Sequence, residues 1–257
     1  MTRGTLAKEI VDIAALRQRG DSAEKERLAR RIFDLWQPIF SHLDGKDFTF
    51  HLERHVEEPT SSQIRALFGK DAAGRDRALM IVRVHEHRIA GRTWARLTVN
   101  AGFDHAFVQS HFGQEFLAWE TWRYRFRHPL RPFFIVDAAV SAASYCVYAK
   151  TYSGFAPTRD RPIKEAWWPL AEAGSGALSG EAVVGRPREV RRFPGQVRNP
   201  VTRVPTSPRS QEAAAFFEEL TRGEDRAGVL VMAPLGFLSM GLTTARYGWT
   251  RLRRNRR

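Results

Sequence analysis

The chain has a single cysteine, Cys146, among 257 residues. One thiol excludes a disulfide framework within the chain and any cysteine-based zinc site, so a reducing, cytoplasmic location is expected. Cys146 sits in an apolar helical context without a local cationic partner and reads as buried and inert. Lysine is scarce, and the formal charge of +13 is carried almost entirely by arginine. No secretory leader is expected from the opening residues either: MTRGTLAKEIVDIAALRQRGD has acidic residues and amphipathic spacing instead of a basic start, an apolar run and a small-residue cleavage site. No internal repeat is visible. His85-Glu86-His87 puts two imidazoles on one strand face, but no third ligand follows at convincing spacing; a polar turn is the better reading, and no metal is expected.

What is present begins with charge. Seven arginines and one acid fall between Arg186 and Arg209, and six arginines and no acid fall in the last twelve residues, whose removal takes the balance from +13 to +7. The middle of the chain is therefore less basic than the total. A hydrophobic content of 43% is ordinary for a globular protein and sufficient for a core.

In chain order, Leu6, Ile10, Val11, Ile13 and Leu16 lie on one side of a short first helix that Gly20 and Asp21 end. Asp21-Ser-Ala-Glu24 resembles a capping box opening a second helix with Leu28, Ile32, Leu35, Trp36, Ile39 and Phe40 as its stripe. Residues 46–58 fit a strand or a helix, with a lean towards helix. Pro59-Thr-Ser-Ser is a break, and residues 69–77 read as a polar loop. The organising stretch is 80–152. Two β-branched runs in IVRVHEHRIAGRTWARLTV flank a polar turn at His85–Arg88, the pattern of an antiparallel hairpin. A short third strand, 105–111, leads through Phe112-Gly113-Gln114 into a helix whose Leu117, Trp119, Trp122 and Phe126 are expected to form a buried aromatic face. Pro129 stops it, PFFIVDAAV reads as a central strand, and SAASYCVYAKTY as a helix with a serine cap.

The composition then shifts. Residues 153–209 read as a proline- and arginine-rich irregular arm, in which a buried Trp167-Trp168 pair would staple the arm to the domain. Residues 210–245 hold a helix closed by Gly223 and nineteen residues without a charge, Ala227–Ala245, before the basic tail 246–257. Two readings of that run stand. Its length, aromatic edge and flanking arginines suit a membrane-contacting segment. Pro234 and Gly236 instead break it into a buried strand, a loop and a short helix. The expected organisation is thus 1–152 as helices plus an α/β core, 153–209 as the arm, 210–245 as completion of the core and 246–257 as the tail.

The order of hairpin, third strand, glycine-bearing loop, aromatic helix, strand and tyrosine-bearing helix resembles the middle of the GNAT acetyltransferase superfamily, in a divergent bacterial branch. The resemblance covers residues 31–152, joined by Gly228–Ala233, and it rests on motifs of low specificity. It implies a mixed α/β fold, with a central sheet flanked by helices, and transfer of an acyl group from acetyl-CoA, a longer acyl-CoA or a carrier-bound thioester to an amine. In that superfamily the pyrophosphate of the donor sits on backbone N–H groups where the helix after the fourth strand begins, an anion site by virtue of its N-terminus.

The matching turn here is Gln109-Ser-His-Phe-Gly-Gln114, so the resemblance assigns the donor to Gln109, Phe112, Gly113, Gln114 and Glu115. The turn lacks the Gln/Arg-x-x-Gly-x-Gly/Ala pattern of an efficient acetyl-CoA loop. The superfamily often supplies the acid for the departing thiolate from a tyrosine on the later helix, which here is Tyr145, Tyr148 or Tyr152; the other reading is that these rings pack on the sheet. His111, Glu86 and Glu120 are the candidate bases, His111 preferred for its place beside the loop.

Two other classes remain beside the acyltransferase. One is a non-catalytic scaffold of the same architecture, at the inner membrane face if residues 227–257 meet an anionic membrane surface. The other is a nucleic-acid binder acting through its arginines with Tyr247 and Trp249, although no recognised nucleic-acid module accompanies them.

Overall fold

The structure of the chain is a computed structural model that describes residues 6–39, 48–57, 61–103, 112–173, 181–192, 207–224 and 227–245. Its contacts define two units, Met1–Glu86 with Leu97–Arg123, and His87–Arg96 with Tyr124–Arg257.

The first unit opens with β1 (Ala7–Asp12), α1 (Ile13–Arg19) and α2 (Ser22–Ile39). A short helix α3 (Phe48–His51) runs into a π-helical turn, Leu52–Glu57. Three long strands follow, β2 (Ser61–Lys70), β3 (Asp76–Ile89) and β4 (Arg92–Phe103), and then helix α4 (Gln114–Arg127). The strands lie in the order β1-β2-β3-β4, with β1–β2 and β2–β3 antiparallel. Period-2 alternation brings Ile64, Ala66 and Phe68 of β2 and Leu79 and Ile81 of β3 into one core cluster with Ile13, Leu16, Leu28, Ile32 and Trp36 of the helices. Each of the Ile, Leu and Phe side chains contributes about 1.5–3 kcal/mol by leaving water. Asp21 accepts the Glu24 N–H at 2.9 Å, which is the capping expected of α2.

The second unit contains β5 (Phe133–Ala139), α5 (Ala142–Thr151), α6 (Trp168–Glu172), β6 (Glu181–Ala182), β7 (Val190–Arg192), α7 (Pro208–Thr221) and β8 (Ala227–Pro234). A last helix, α8, covers 237–245. From the first residues of β4 the strand order is β4-β5-β8-β7-β6, and β5–β8, β8–β7 and β7–β6 are antiparallel. Phe134, Val136, Leu230 and Met232 share a core cluster with Trp168, Leu170 and Ala171 of the arm. Trp167 packs on Phe134 with ring centroids 5.0 Å apart. The tryptophan pair thus fastens the arm to its unit, as expected.

The fold class is the expected one: a mixed α/β protein with a mostly antiparallel sheet and flanking helices. Several local readings are corrected. Residues 7–12 are a strand paired with β2 along its whole length, and the helix starts only at Ile13, where Asp12 caps the Ala15 N–H at 3.0 Å. The hairpin turns at Ala90-Gly91, whose φ values of 46° and 77° are both left-handed, as a tight two-residue turn requires. His85–Arg88 therefore lies within β3, and Glu86 is a strand residue. The strand β2 was not anticipated; it makes β2-β3-β4 the meander, whereas the expected third strand at 105–111 lies outside the described residues.

The buried face of α4 is also different from the expected one. Trp119 is 64% exposed and Phe126 67%, while Phe116, Glu120, Thr121, Tyr124 and Arg125 are buried. Glu120 and Arg125 turn inward because partners await them. Glu120 meets Arg65 at 2.6 Å and Gln63 at 2.8 Å. Arg125 donates to the carbonyls of Leu235, Pro129 and Arg131 at 2.7–3.0 Å. Finally, the nineteen-residue uncharged run is not one segment. Its first part is the buried strand β8, Pro234 ends it, and among the described residues no helix is long and apolar enough to cross a membrane.

Candidate functional site

In the first unit the donor-side residues gather where α4 begins. Gly113 has φ 84°, a left-handed value that favours glycine, and a Cβ there would lie 2.5 Å from Met80 Cε and 2.7 Å from its Sδ, so the end of the Met80 side chain would have to shift. Phe112 is 6% exposed and packs on Gly69, where an added Cβ would lie 2.5 Å from its ring. This contact ties the end of the loop to β2. Leu117 N–H donates to the Gly113 carbonyl at 2.7 Å, so the first helical turn starts at the glycine, and the N–H groups of such a turn have no intrahelical acceptors.

The polarity of this helix start suits an anionic group, with one departure: Glu115 places a carboxylate in the first turn. Lys8 offsets it at 3.2 Å in an exposed pair. Gln114 is exposed. Gln109 and His111 lie outside the described residues. Glu120 is fully buried between Arg65, Gln63 and Arg123, which gives it a structural occupation.

In the second unit the three tyrosines separate by role. Ser141 caps α5 in a reciprocal box with Ser144, which fixes the rotation of the helix as it leaves β5. Tyr145 is 1% exposed, donates its hydroxyl to the Pro157 carbonyl, and packs with Phe155 at 5.1 Å and Phe217 at 5.8 Å. Burial holds its hydroxyl protonated well above the ordinary range. Tyr145 is part of the core.

One turn on, Tyr148 is half-buried, stacks on Tyr152 at 6.1 Å, and donates its hydroxyl to Asp137 Oδ2. Asp137 comes from the middle of β5, opposite Val231 of β8, and its Oδ1 accepts the Ala138 N–H at 2.8 Å. Burial raises the Asp137 carboxyl from 3.8 to about 6, against the opposing effects of the Tyr148 hydroxyl, the Ala138 N–H and the Arg96 guanidinium. Tyr148 and Tyr152 are both pushed up, by burial first and by the charge of Asp137 second.

A carboxylate titrating near 6 and hydrogen-bonded to a tyrosine hydroxyl accepts protons at neutral pH, with a neutral donor at its side. Asp137 was not singled out from the sequence. The signal was there: a lone acid in the otherwise apolar FFIVDAA is a burial that only partners make tolerable. A second buried polar group, in the first unit, was missed likewise. Arg83, 3% exposed, donates to Asn100 Oδ1 at 2.5 Å and contacts His55 Nδ1, and the His55 ring is stacked 5.3 Å from that of His51. Among the described residues no group of three or more His, Cys, Asp or Glu is placed to hold a metal ion.

No family profile matches the chain, and no curated protein matches it. Solved structures do. The GNAT family N-acetyltransferase YhbS from Escherichia coli, in complex with CoA, is 10% identical over 59% of this chain and 70% of its own, with a TM-score of 0.37. An aminoglycoside 6'-N-acetyltransferase complexed with coenzyme A is 10% identical over 88% of this chain and 97% of its own, at a TM-score of 0.36. An acyl-CoA N-acyltransferase from Pseudomonas aeruginosa is 13% identical over 62% and 95%, at 0.34. At such scores the fold class rests on the chain's own element order.

Proposed function

We propose that the chain is a GNAT-like N-acyltransferase that moves an acyl group from a CoA-type thioester to an amine. The observation that carries this reading is the pairing of Tyr148 with a buried Asp137 poised near pH 6, on the strand and helix that follow a helix opened by a left-handed glycine. The amine nitrogen attacks the thioester carbonyl and loses a proton, the C–S bond breaks, and the thiolate takes up a proton, giving an amide and a free thiol. Asp137 is the base of this scheme. Tyr148, which donates to Asp137 while the carboxylate is charged, becomes the better acid once Asp137 is protonated, so the pair relays one proton from amine to sulfur. In the first unit taken by itself, the start of α4, with Gly113 and Gln114, has the polarity to hold an anionic group, and Lys8 offsets Glu115 beside it.

The test is isothermal titration with acetyl-CoA and a long-chain acyl-CoA, followed by thiol release with a panel of amines, on wild type, Tyr148→Phe and Asp137→Asn. Saturable thioester binding retained in both variants, with turnover lowered about 100-fold or more, supports the assignment. Absence of thioester binding in the wild type overturns it and favours a non-catalytic scaffold. Glu115 is the feature that favours this second reading, because a carboxylate in the first turn opposes phosphate.

A further inference from the structure

Within the second unit, α5, α7 and the turn that follows α5 bound a cleft of about 300 Å³. Its walls are held in place. Ala156 of the turn exchanges both backbone hydrogen bonds with Met232 of β8 at 2.8 Å, and Tyr145 donates to the Pro157 carbonyl. Thr158 and Arg161 exchange theirs at 2.8 and 3.0 Å, which closes a tight turn over Arg159-Asp160. Cys146 Sγ donates to the Ser210 carbonyl at 3.1 Å and so joins α5 to α7.

Each wall brings one exposed cation to the cleft: Lys150 from α5, Arg161 from the turn and Arg209 from α7. Among the described residues none of the three forms an ion pair, and Arg161 has only the Phe155 carbonyl at 3.4 Å. Arg159, by contrast, is engaged by Glu219 at 2.6 Å and lies over the Phe216 ring. The Tyr152 hydroxyl lines the same cleft, again with no hydrogen-bond partner among the described residues. So do two acids, Asp160 and Glu212, equally unpaired there. Arg209 and Ser210 add the first turn of the 14-residue α7, whose end is the positive one.

We propose that this cleft binds a small molecule carrying a phosphate monoester, whose oxygens accept from Lys150, Arg161, Arg209 and the Tyr152 hydroxyl. Its volume lies at the lower end for ligand sites, which suits a small molecule. Cations gathered in one cleft without partners repel one another, and an anion relieves that repulsion. Three cations and a helix start outweigh two carboxylates, and a dianion gains more from the excess than a monoanion does. Guanidinium forks match phosphate oxygens in geometry as well as charge. Asp160 and Glu212 oppose the phosphate, so neutralising them strengthens binding. Neither Asp137 nor Tyr148 lines the cleft, and the proposal is independent of the acyltransferase reading.

The experiment is isothermal titration of the full chain with glycerol 3-phosphate and with glycerate, at a pH above the second phosphate pKa of about 6. Lys150→Ser/Arg209→Ser and Asp160→Asn/Glu212→Gln are run beside the wild type, with thermal melts to confirm folding. The expected result is saturable binding of one glycerol 3-phosphate per chain, tighter than that of glycerate. Loss of the two cations should weaken it about tenfold or more, and loss of the two acids should tighten it about threefold. No saturable binding by the wild type overturns the proposal. So does binding that the Lys150/Arg209 variant retains in full, which puts the phosphate elsewhere, or glycerate bound as tightly as the phosphate. Displacement of glycerol 3-phosphate by acetyl-CoA overturns it too, because the cleft then belongs to the phosphates of the acyl donor.

Discussion

Replacing Asp137 by asparagine is expected to make the protein more stable and less active at once. Burial holds the Asp137 carboxyl at about 6, against its ordinary 3.8, so the folded chain binds this proton more tightly than the unfolded chain does. The associated stability is fully present below the ordinary value and is lost as pH rises through about 6. Above that, the ionised group costs about 3 kcal/mol relative to its protonated form. Asparagine has nearly the same shape and carries no charge; its Oδ1 can accept the Ala138 N–H while its NH2 group donates to the Tyr148 oxygen. The cost of about 3 kcal/mol is already net of the hydrogen bonds from Tyr148 and Ala138 and of the Arg96 attraction, all of which lower the Asp137 value. The gain over wild type is therefore about 2–3 kcal/mol larger near pH 7.5 than near pH 4.

Urea unfolding of both proteins across this range reads the difference directly, and other titrating groups, present in both, cancel. A difference that stays flat with pH, or a variant less stable at pH 7.5 than at pH 4 relative to wild type, would refute the reasoning, because either result means that Asp137 does not hold a proton near pH 6. The functional half of the prediction is a loss of acyl transfer by about 100-fold or more in the stabilised protein. A stabilising substitution that removes activity is what a strained catalytic group produces and a purely structural one does not.

Three further outcomes are expected. Arg31 makes bidentate pairs with Glu9 at 3.0 Å and with Asp76 at 3.0 and 3.1 Å, over the Phe68 ring at 4.0 Å; Arg31→Lys cannot reproduce the fork and should cost about 1–2 kcal/mol in thermal unfolding. Hydrogen bonding from Arg31, with help from Lys70, holds Glu9 down at about 2, so its contribution is present above the ordinary carboxylate range and lost as pH falls towards 2; the acid-unfolding midpoint of Arg31→Lys should therefore move to higher pH. Gly113→Ala meets both a left-handed φ and the Met80 thioether, and about 1–2 kcal/mol of stability should be lost, read by urea unfolding, together with weaker thioester binding by titration. Arg125→Met removes the donor from the buried carbonyl of Leu235 and from the part-buried carbonyls of Pro129 and Arg131, and a loss of about 2–3 kcal/mol should appear as a large drop in melting temperature.

How legible these features were depends on whether apolar spacing alone determined them. The second helix, the central strand 133–139, the serine-capped tyrosine helix and the buried tryptophans of the arm all announce themselves through runs, caps and breakers, and all are present. What spacing misjudged is where polar groups are buried. The aromatic residues of α4 suggested an inward face, yet inward positions are taken by Glu120 and Arg125, whose partners Arg65 and Leu235 lie 55 and 110 residues away in the chain and are invisible to a local window. Asp137 in β5 follows the same logic, because its tolerance depends on a hydroxyl supplied from the next helix. Residues 7–12 show it for the backbone: their side chains fit a helix, but pairing with β2 along six positions satisfies the N–H and C=O groups that face β2. In each case a long-range partner overrode the local preference. A charged residue inside an apolar run is therefore better treated as a search for its partner than as a reason to rotate the element away from the core, and this chain's proposed catalytic pair is what that search finds in β5.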